Sequence, residues 1–218
     1  VSKGLFISFE GSEGCGKSTQ IKLLAERLTA LGQRVRVLRE PGGTPIGEEI
    51  RHTLKHSLQN AAMTSEAELL LMNASRAQLV REIIRPALAA GEIILCDRFY
   101  DSTTAYQGYG RELDLAHVKS VIEFAVGETK PKLTLFLHVP PEVSEERLRS
   151  RQATLPFVRD RIEEADRKFF ERVAKGFEAV VAGEPQRVKF INGNQAFDVV
   201  CAEIWSHVQP LLPKVGRW

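Results

Sequence analysis

Four short stretches of the chain, residues 5–9, 93–96, 133–139 and 188–191, are apolar at nearly every position. Runs of this length without alternation fit strands buried on both faces, as in a parallel sheet. A fifth segment, 34–39, alternates, which predicts a strand with Val35 and Val37 turned inward. Between the strands the pattern becomes helical. The stretch 18–31 stops before Gly32, a residue suited to a helix C-cap. The stretch 65–86 opens on Ser65-x-x-Glu68, the spacing of a capping box, and then carries apolar residues at 69, 72, 79, 80 and 83. Further helices are expected over 115–126, 141–149, 161–182 and 196–212. Strands alternating with helices predict an α/β fold, in which ligands gather at the carboxyl ends of the strands. No Pro-, Gly- or Ser-rich linker divides the chain, so 1–218 reads as one domain.

Composition narrows the function classes. A chain of 218 residues, 43% hydrophobic and 27% charged, can fill one α/β core. Its net charge of +2 provides no broad basic field for a nucleic-acid polymer, so an anion site must be built locally. Cys15, Cys96 and Cys201 are too scattered for a disulfide framework. The first ten residues do not resemble a signal peptide, and no run approaches the ~18 apolar residues of a membrane span. A cytoplasmic protein without membrane partners is expected.

The chemistry begins at Gly11-Ser12-Glu13-Gly14-Cys15-Gly16-Lys17-Ser18, a GxxxxGK[ST] phosphate-binding loop followed by Thr19. It lies between an expected strand and an expected helix, the context that such a loop needs. Glycines let consecutive N–H groups turn toward an anion, and the helix N-terminus adds unpaired donors. Lys17 places a charge on the β- and γ-phosphates, and Ser18 offers a hydroxyl to Mg²⁺. Cys15 reads either as one of several small residues the loop would accept or as a thiol activated by the helix terminus and Lys17.

A second site element ends the run 93–96. Asp97 is placed to orient Mg²⁺ or its water, and Arg98 to fork onto an acceptor phosphate. Arg76 lies on the apolar stripe of the 65–86 helix, four residues after Met72, where a guanidinium must find an anion or acceptors. It reads as an internal salt bridge or as a ligand contact with Met72 under a flat base. The segment 39–45, with Pro41-Gly42-Gly43, is expected to line the pocket, with Arg51 on the following helix. Residues 101–111 read as a loop whose polar and aromatic side chains could meet a base. Arg147, Arg149, Arg151, Arg159 and Arg161 surround 152–158, and this arginine-bearing stretch reads as a lid, about 149–160, that closes over phosphates.

Taken together, Phe-Glu-Gly-x-Glu-Gly-x-Gly-Lys-Ser at 9–18, Arg-Glu-Pro-Gly-Gly-Thr at 39–44, Ser-Arg at 75–76, Asp-Arg-Phe at 97–99, Ala-Tyr-Gln-Gly at 105–108 and Asp-Arg-Ile-Glu at 160–163 resemble the bacterial thymidylate kinases over nearly the whole chain. The resemblance implies a P-loop NTPase fold with a five-stranded parallel sheet flanked by helices, usually a homodimer. It implies ATP and dTMP as substrates with Mg²⁺. Glu13 would face the nucleotide sugar or the attacking phosphate, Arg51 and Arg98 would hold the dTMP phosphate, and Pro41 would pack on the sugar. Arg76 would bond the thymine O4 edge, Thr103 and Gln107 would contact thymine, and Tyr106 would crowd the sugar 2′ position. Glu163 would lie near the acceptor sugar. The P-loop has no arginine among its variable positions, as in the type whose lid arginine supplies that charge, here Arg149 or Arg151. Where the family usually has Phe under thymine, this chain has Met72, which covers a ring face without aromatic stacking.

The expected reaction is direct γ-phosphoryl transfer from MgATP to dTMP. Lys17, Mg²⁺ and the lid arginines offset repulsion between the two anions. Two alternatives stand beside it. One is a kinase of another nucleoside monophosphate or a nucleoside. The other is a GTPase-like switch, which usually carries Asn-Lys-x-Asp after a late strand where this chain has Asn192-Gly193-Asn194-Gln195.

Overall fold

The computed structural model describes residues 4–152, 162 and 166–212, with backbone alone at 151 and 152. Five strands, β1 (Leu5–Glu10), β2 (Val35–Arg39), β3 (Ile93–Asp97), β4 (Leu133–His138) and β5 (Val188–Asn192), form one parallel sheet in the order β2-β3-β1-β4-β5. The central strand β1 brings Phe9 level with Asp97 on β3 and with Leu135 on β4.

Strand alternation assigns each side chain to a layer. Leu5, Ile7 and Phe9 face the helices α1 (Lys17–Ala30) and α9 (Phe197–Val208), where Ile21, Leu24, Leu28, Val200 and Ile204 complete one core. Phe6 and Ile94 face the other layer, which holds α3 (Ser65–Leu79), α4 (Arg85–Ala89), α5 (Tyr100–Thr103) and α6 (Leu115–Val126). Glu10 continues the Phe6 face, so β1 delivers a carboxyl to the α5 side. Phe136 and Val188 meet α8 (Arg167–Gly183) in a third cluster. The remaining helices, α2 (Pro45–Lys55) and α7 (Pro141–Gln152), follow β2 and β4.

Several local expectations are corrected. Val37 is 52% exposed, because β2 is an edge strand and α1 leaves a groove beside it. The α3 N-cap is Thr64, whose Oγ1 accepts from Ala67 N, not Ser65. Glu68 therefore closes no capping box, and its carboxylate goes to tertiary partners instead. The helix expected to end at 86 continues through a π-helical turn, Val80–Ile84, into α4. The segment read as the loop 101–111 is helical, as α5 followed by the π-helix Thr104–Gly110. Its small and aromatic residues carry no clear period, and packing against α8 decides its conformation.

Candidate active site

The strand ends border a cleft of about 680 Å³. The phosphate loop forms its floor. Gly11 and Gly16 have φ of 136° and 100°, the left-handed region that favours glycine. A Cβ at Gly11 would also collide with the Leu137 carbonyl of β4 and the Cys15 thiol, so the loop lies this close to β4 only with glycine there. Lys17 opens α1, and its Nζ curls back to donate to Gly11 O at 3.0 Å and Ser12 O at 2.9 Å. Glu13, Gly14, Ser18 and Thr19 line the cleft with it. The Cys15 thiol is 2% exposed and packs in the core 3.7 Å from Lys17 Nζ. That burial leaves a reagent little access and favours the small-residue reading.

Ser18 Oγ donates to Asp97 Oδ2 at 3.1 Å. β1 and β3 are neighbours, so the head of α1 and the end of β3 bring a hydroxyl and a carboxylate together. Arg98 follows with φ of 70°, uncommon outside glycine; this costs about 1–2 kcal/mol. The bend is held by Arg98 N donating to Phe9 O at 2.9 Å and the Cys96 thiol donating to Arg98 O at 3.0 Å. It turns the guanidinium to within 3.8 Å of the Glu13 carboxylate and 5.2 Å of the Tyr106 ring centre. Burial opposes the Arg98 charge, but Tyr106, Glu13, Asp97 and Glu10 outweigh it and hold the group protonated.

Glu10 organises this corner. Its carboxyl accepts from Phe99 N at 2.8 Å and from Ser102 Oγ, and Ser102 Oγ accepts from Arg98 Nη1 at 3.2 Å. Burial first, then the charge of Asp101, pushes the Glu10 carboxyl up to about 8.

The segment after β2 is tied down on every side. Pro41 O accepts from Arg39 and Arg51, each at 3.0 Å, Gly42 N donates to Ser75 Oγ, and Gly43 N to Glu48. Arg76, 2% exposed, turns its guanidinium to internal partners. Nε and Nη2 meet Glu40 Oε2, Nη1 meets Asn73 and Thr103, and Nη2 also reaches Phe99 O. The internal salt bridge of the two sequence readings is thus present, and it ties α3 to Thr103. Glu40 is buried with Oε1 unpartnered, and burial raises its carboxyl despite Arg76. Met72 packs against the cluster that includes Ala105, Tyr106 and Phe169, and Gln107 is buried two turns along from Tyr100.

The predicted lid falls largely outside view. Arg149 points outward and pairs with Glu145 at 3.2 Å on its own helix, so it is not drawn to the phosphate loop. The Arg151 side chain, Glu163 and 153–160 lie outside the described residues. The cleft also takes in Lys55, His56, Gln195 and Phe197, none of which sequence reasoning assigned to a site, and Arg147, which it named only among the lid arginines. The rule that directed attention to Asp97, a polar residue just past a buried strand, could equally have pointed to 193–197 after β5.

Comparison with known proteins agrees with this geometry. The family model described as thymidylate kinase matches residues 9–204. The thymidylate kinase of Syntrophotalea carbinolica is 48% identical over 201 residues, spanning 92% of this chain and 93% of that protein. That of Synechococcus sp. strain JA-2-3B'a(2-13) is 46% identical over 209 residues, 96% of each chain. The crystal structure of thymidylate kinase from Ehrlichia chaffeensis superposes with a TM-score of 0.76 at 30% identity, covering 95% of this chain and 100% of that one. A model match along nearly the whole length, with relatives this similar, establishes that the chain belongs to the thymidylate kinase family.

Proposed function

We propose that this chain transfers the γ-phosphoryl group of ATP to dTMP, yielding dTDP. The observation that carries the reading is the junction at Ser18 and Asp97, 3.1 Å apart. It joins a phosphate cradle to a strand end whose next residue, Arg98, comes within 3.8 Å of Glu13, which lines the cleft. The ATP phosphates lie on residues 11–19, and the adenine lies near Arg147, Gln195 and Phe197. Arg98 and Arg51 hold the dTMP phosphate. Pro41, Tyr106, Glu13 and Glu163 surround its sugar. Met72, Arg76, Thr103 and Gln107 enclose the thymine.

The attacking oxygen of dTMP is already anionic, so the site needs charge neutralisation and alignment more than a strong base. Lys17 supplies the fixed positive charge, and Arg149 or Arg151 adds to it when the 149–160 lid closes. Ser18 and Asp97 have the hard oxygen donors that suit Mg²⁺. Among the described residues no cluster of three His, Cys, Asp or Glu competes for a metal, which fits an ion that takes its other ligands from phosphates and water. Bound there, Mg²⁺ would neutralise phosphate charge.

We place the enzyme in the cytoplasm as a homodimer. No helix among the described residues is long and apolar enough to cross a membrane. Phe124 on α6 and Leu70 on α3 are 84% and 58% exposed, on helices that pack together. The reaction is tested by ADP release with MgATP and dTMP, dUMP, UMP, CMP, AMP, GMP or thymidine. Preference for dTMP, with dUMP second, is expected. Equal or better turnover of another acceptor would overturn the assignment of the base pocket, and no acceptor-dependent turnover would overturn the kinase reading.

A further inference from the structure

Glu68, Met72 and Arg76 are spaced four apart and share one face of α3. That face meets the helical segment after β3 through two rungs. Arg76 Nη1 donates to Thr103 Oγ1 at 2.9 Å, and Gln107 Nε2 donates to Glu68 Oε1 at 2.7 Å. Thr103 and Gln107 are also four apart, so Met72 lies between the rungs. A base resting on Met72 would have the Arg76 rung on one side and the Gln107 rung on the other.

Chemistry fixes the direction of the Gln107 rung. A carboxylate only accepts hydrogen bonds, so the Gln107 amide must turn its NH₂ toward Glu68. Glu68 is itself immobilised. It is fully buried, and Arg111 forks onto it, Nη2 to Oε2 at 3.1 Å and Nε to Oε1 at 3.3 Å. The Arg111 guanidinium in turn lies 4.5 Å from the Phe169 ring centre on α8. A flipped Gln107 would set two oxygens against each other at Glu68, without water to relieve them.

We propose that Glu68, backed by Arg111, is a specificity-determining positioning residue that holds Gln107 as a hydrogen-bond acceptor for the acceptor base. An amide oxygen fixed in this way pairs with the N3–H of thymine or uracil. Against cytosine it would face N3, which is itself an acceptor. The inference rests on the reading that dTMP binds with its base between Met72 and Gln107.

The test is kcat and KM for dTMP and for dCMP, at saturating MgATP, in the wild type, Glu68→Gln, Arg111→Met and Gln107→Leu. An amide at 68 can donate as well as accept, so it lets Gln107 flip. Glu68→Gln should lower the dTMP:dCMP ratio of kcat/KM by about ten-fold or more. The change should lie mainly in KM for dTMP, with KM for ATP unaltered, whatever the loss of Tm from weakening the buried pair with Arg111. Arg111→Met, which keeps Glu68 but removes its fork, should move the ratio the same way by less; it decides the matter if Glu68→Gln does not fold. If Gln107→Leu collapses the ratio while the Glu68 and Arg111 variants leave it unchanged, or lower both substrates equally, the positioning role is wrong and the base reading stands. If Gln107→Leu leaves the ratio at the wild-type value, the base reading itself fails.

Discussion

Arg98 is the residue on which the acceptor side turns, and its position depends on a neighbour that does not touch substrate in the proposed reaction. Glu10 accepts from Phe99 N and Ser102 Oγ, and Ser102 accepts from Arg98. The Glu10 carboxyl is enclosed, and burial and Asp101 raise it from 4.5 to about 8. The folded chain therefore binds more protons than the unfolded chain between these two values. The stability this contributes is full below pH 4.5 and is lost as pH rises through about 8. Glu10→Gln cannot titrate. The Tm of the wild type minus that of Glu10→Gln should fall between about pH 5 and pH 8 and then level off, as read by scanning calorimetry. A difference that does not vary with pH would mean that Glu10 titrates as an ordinary exposed carboxyl. Motif spacing pointed to Lys17, Asp97 and Arg98, because their chemistry is local to a loop or strand end. Glu10 and Glu68 were legible only as a residue beside the phosphate loop and a mistaken capping box, because their partners lie 89 and 39 residues away.

The π-helical segment Thr104–Gly110 shows the same division at the level of elements. It carries Tyr106 and Gln107, and α8 presses it into place. Gly176 of α8 sits so close that an added Cβ would lie 2.8 Å from Ala105 Cα and 3.0 Å from Tyr109 Cβ. The obstacle at Ala105 is backbone and cannot swing aside. Gly176→Ala should destabilise the fold by about 1–3 kcal/mol in urea unfolding, and should raise KM for dTMP more than KM for ATP, because the shift falls on the acceptor side. Wild-type stability and an unchanged KM for dTMP would show that α8 yields without moving the segment. Apolar runs marked the strands and helical periodicity most of the helices, because a central strand is buried on both faces and a helix on one stripe. Periodicity missed this segment because its conformation comes from contact with α8.

Across the whole molecule, two exposed apolar side chains on packed helices bear on assembly. Phe124→Asp should convert the proposed dimer to monomer in sedimentation equilibrium and remove any dependence of Tm on protein concentration. A wild type that sediments as a monomer at micromolar concentration would end the dimer proposal. The sequence alone determined the parallel α/β architecture, the phosphate loop, the strand-end Asp97–Arg98 pair and the family, because buried strand runs, glycine spacing and short motifs are local signals. Tertiary structure decided the strand order β2-β3-β1-β4-β5, the exposure of Val37 at the sheet edge, the closed network of Arg76 and the rung between Glu68 and Gln107. Each of these pairs residues far apart in the chain. Which partner satisfies a buried charge depends on which elements pack together, and the folded arrangement of those elements settles that.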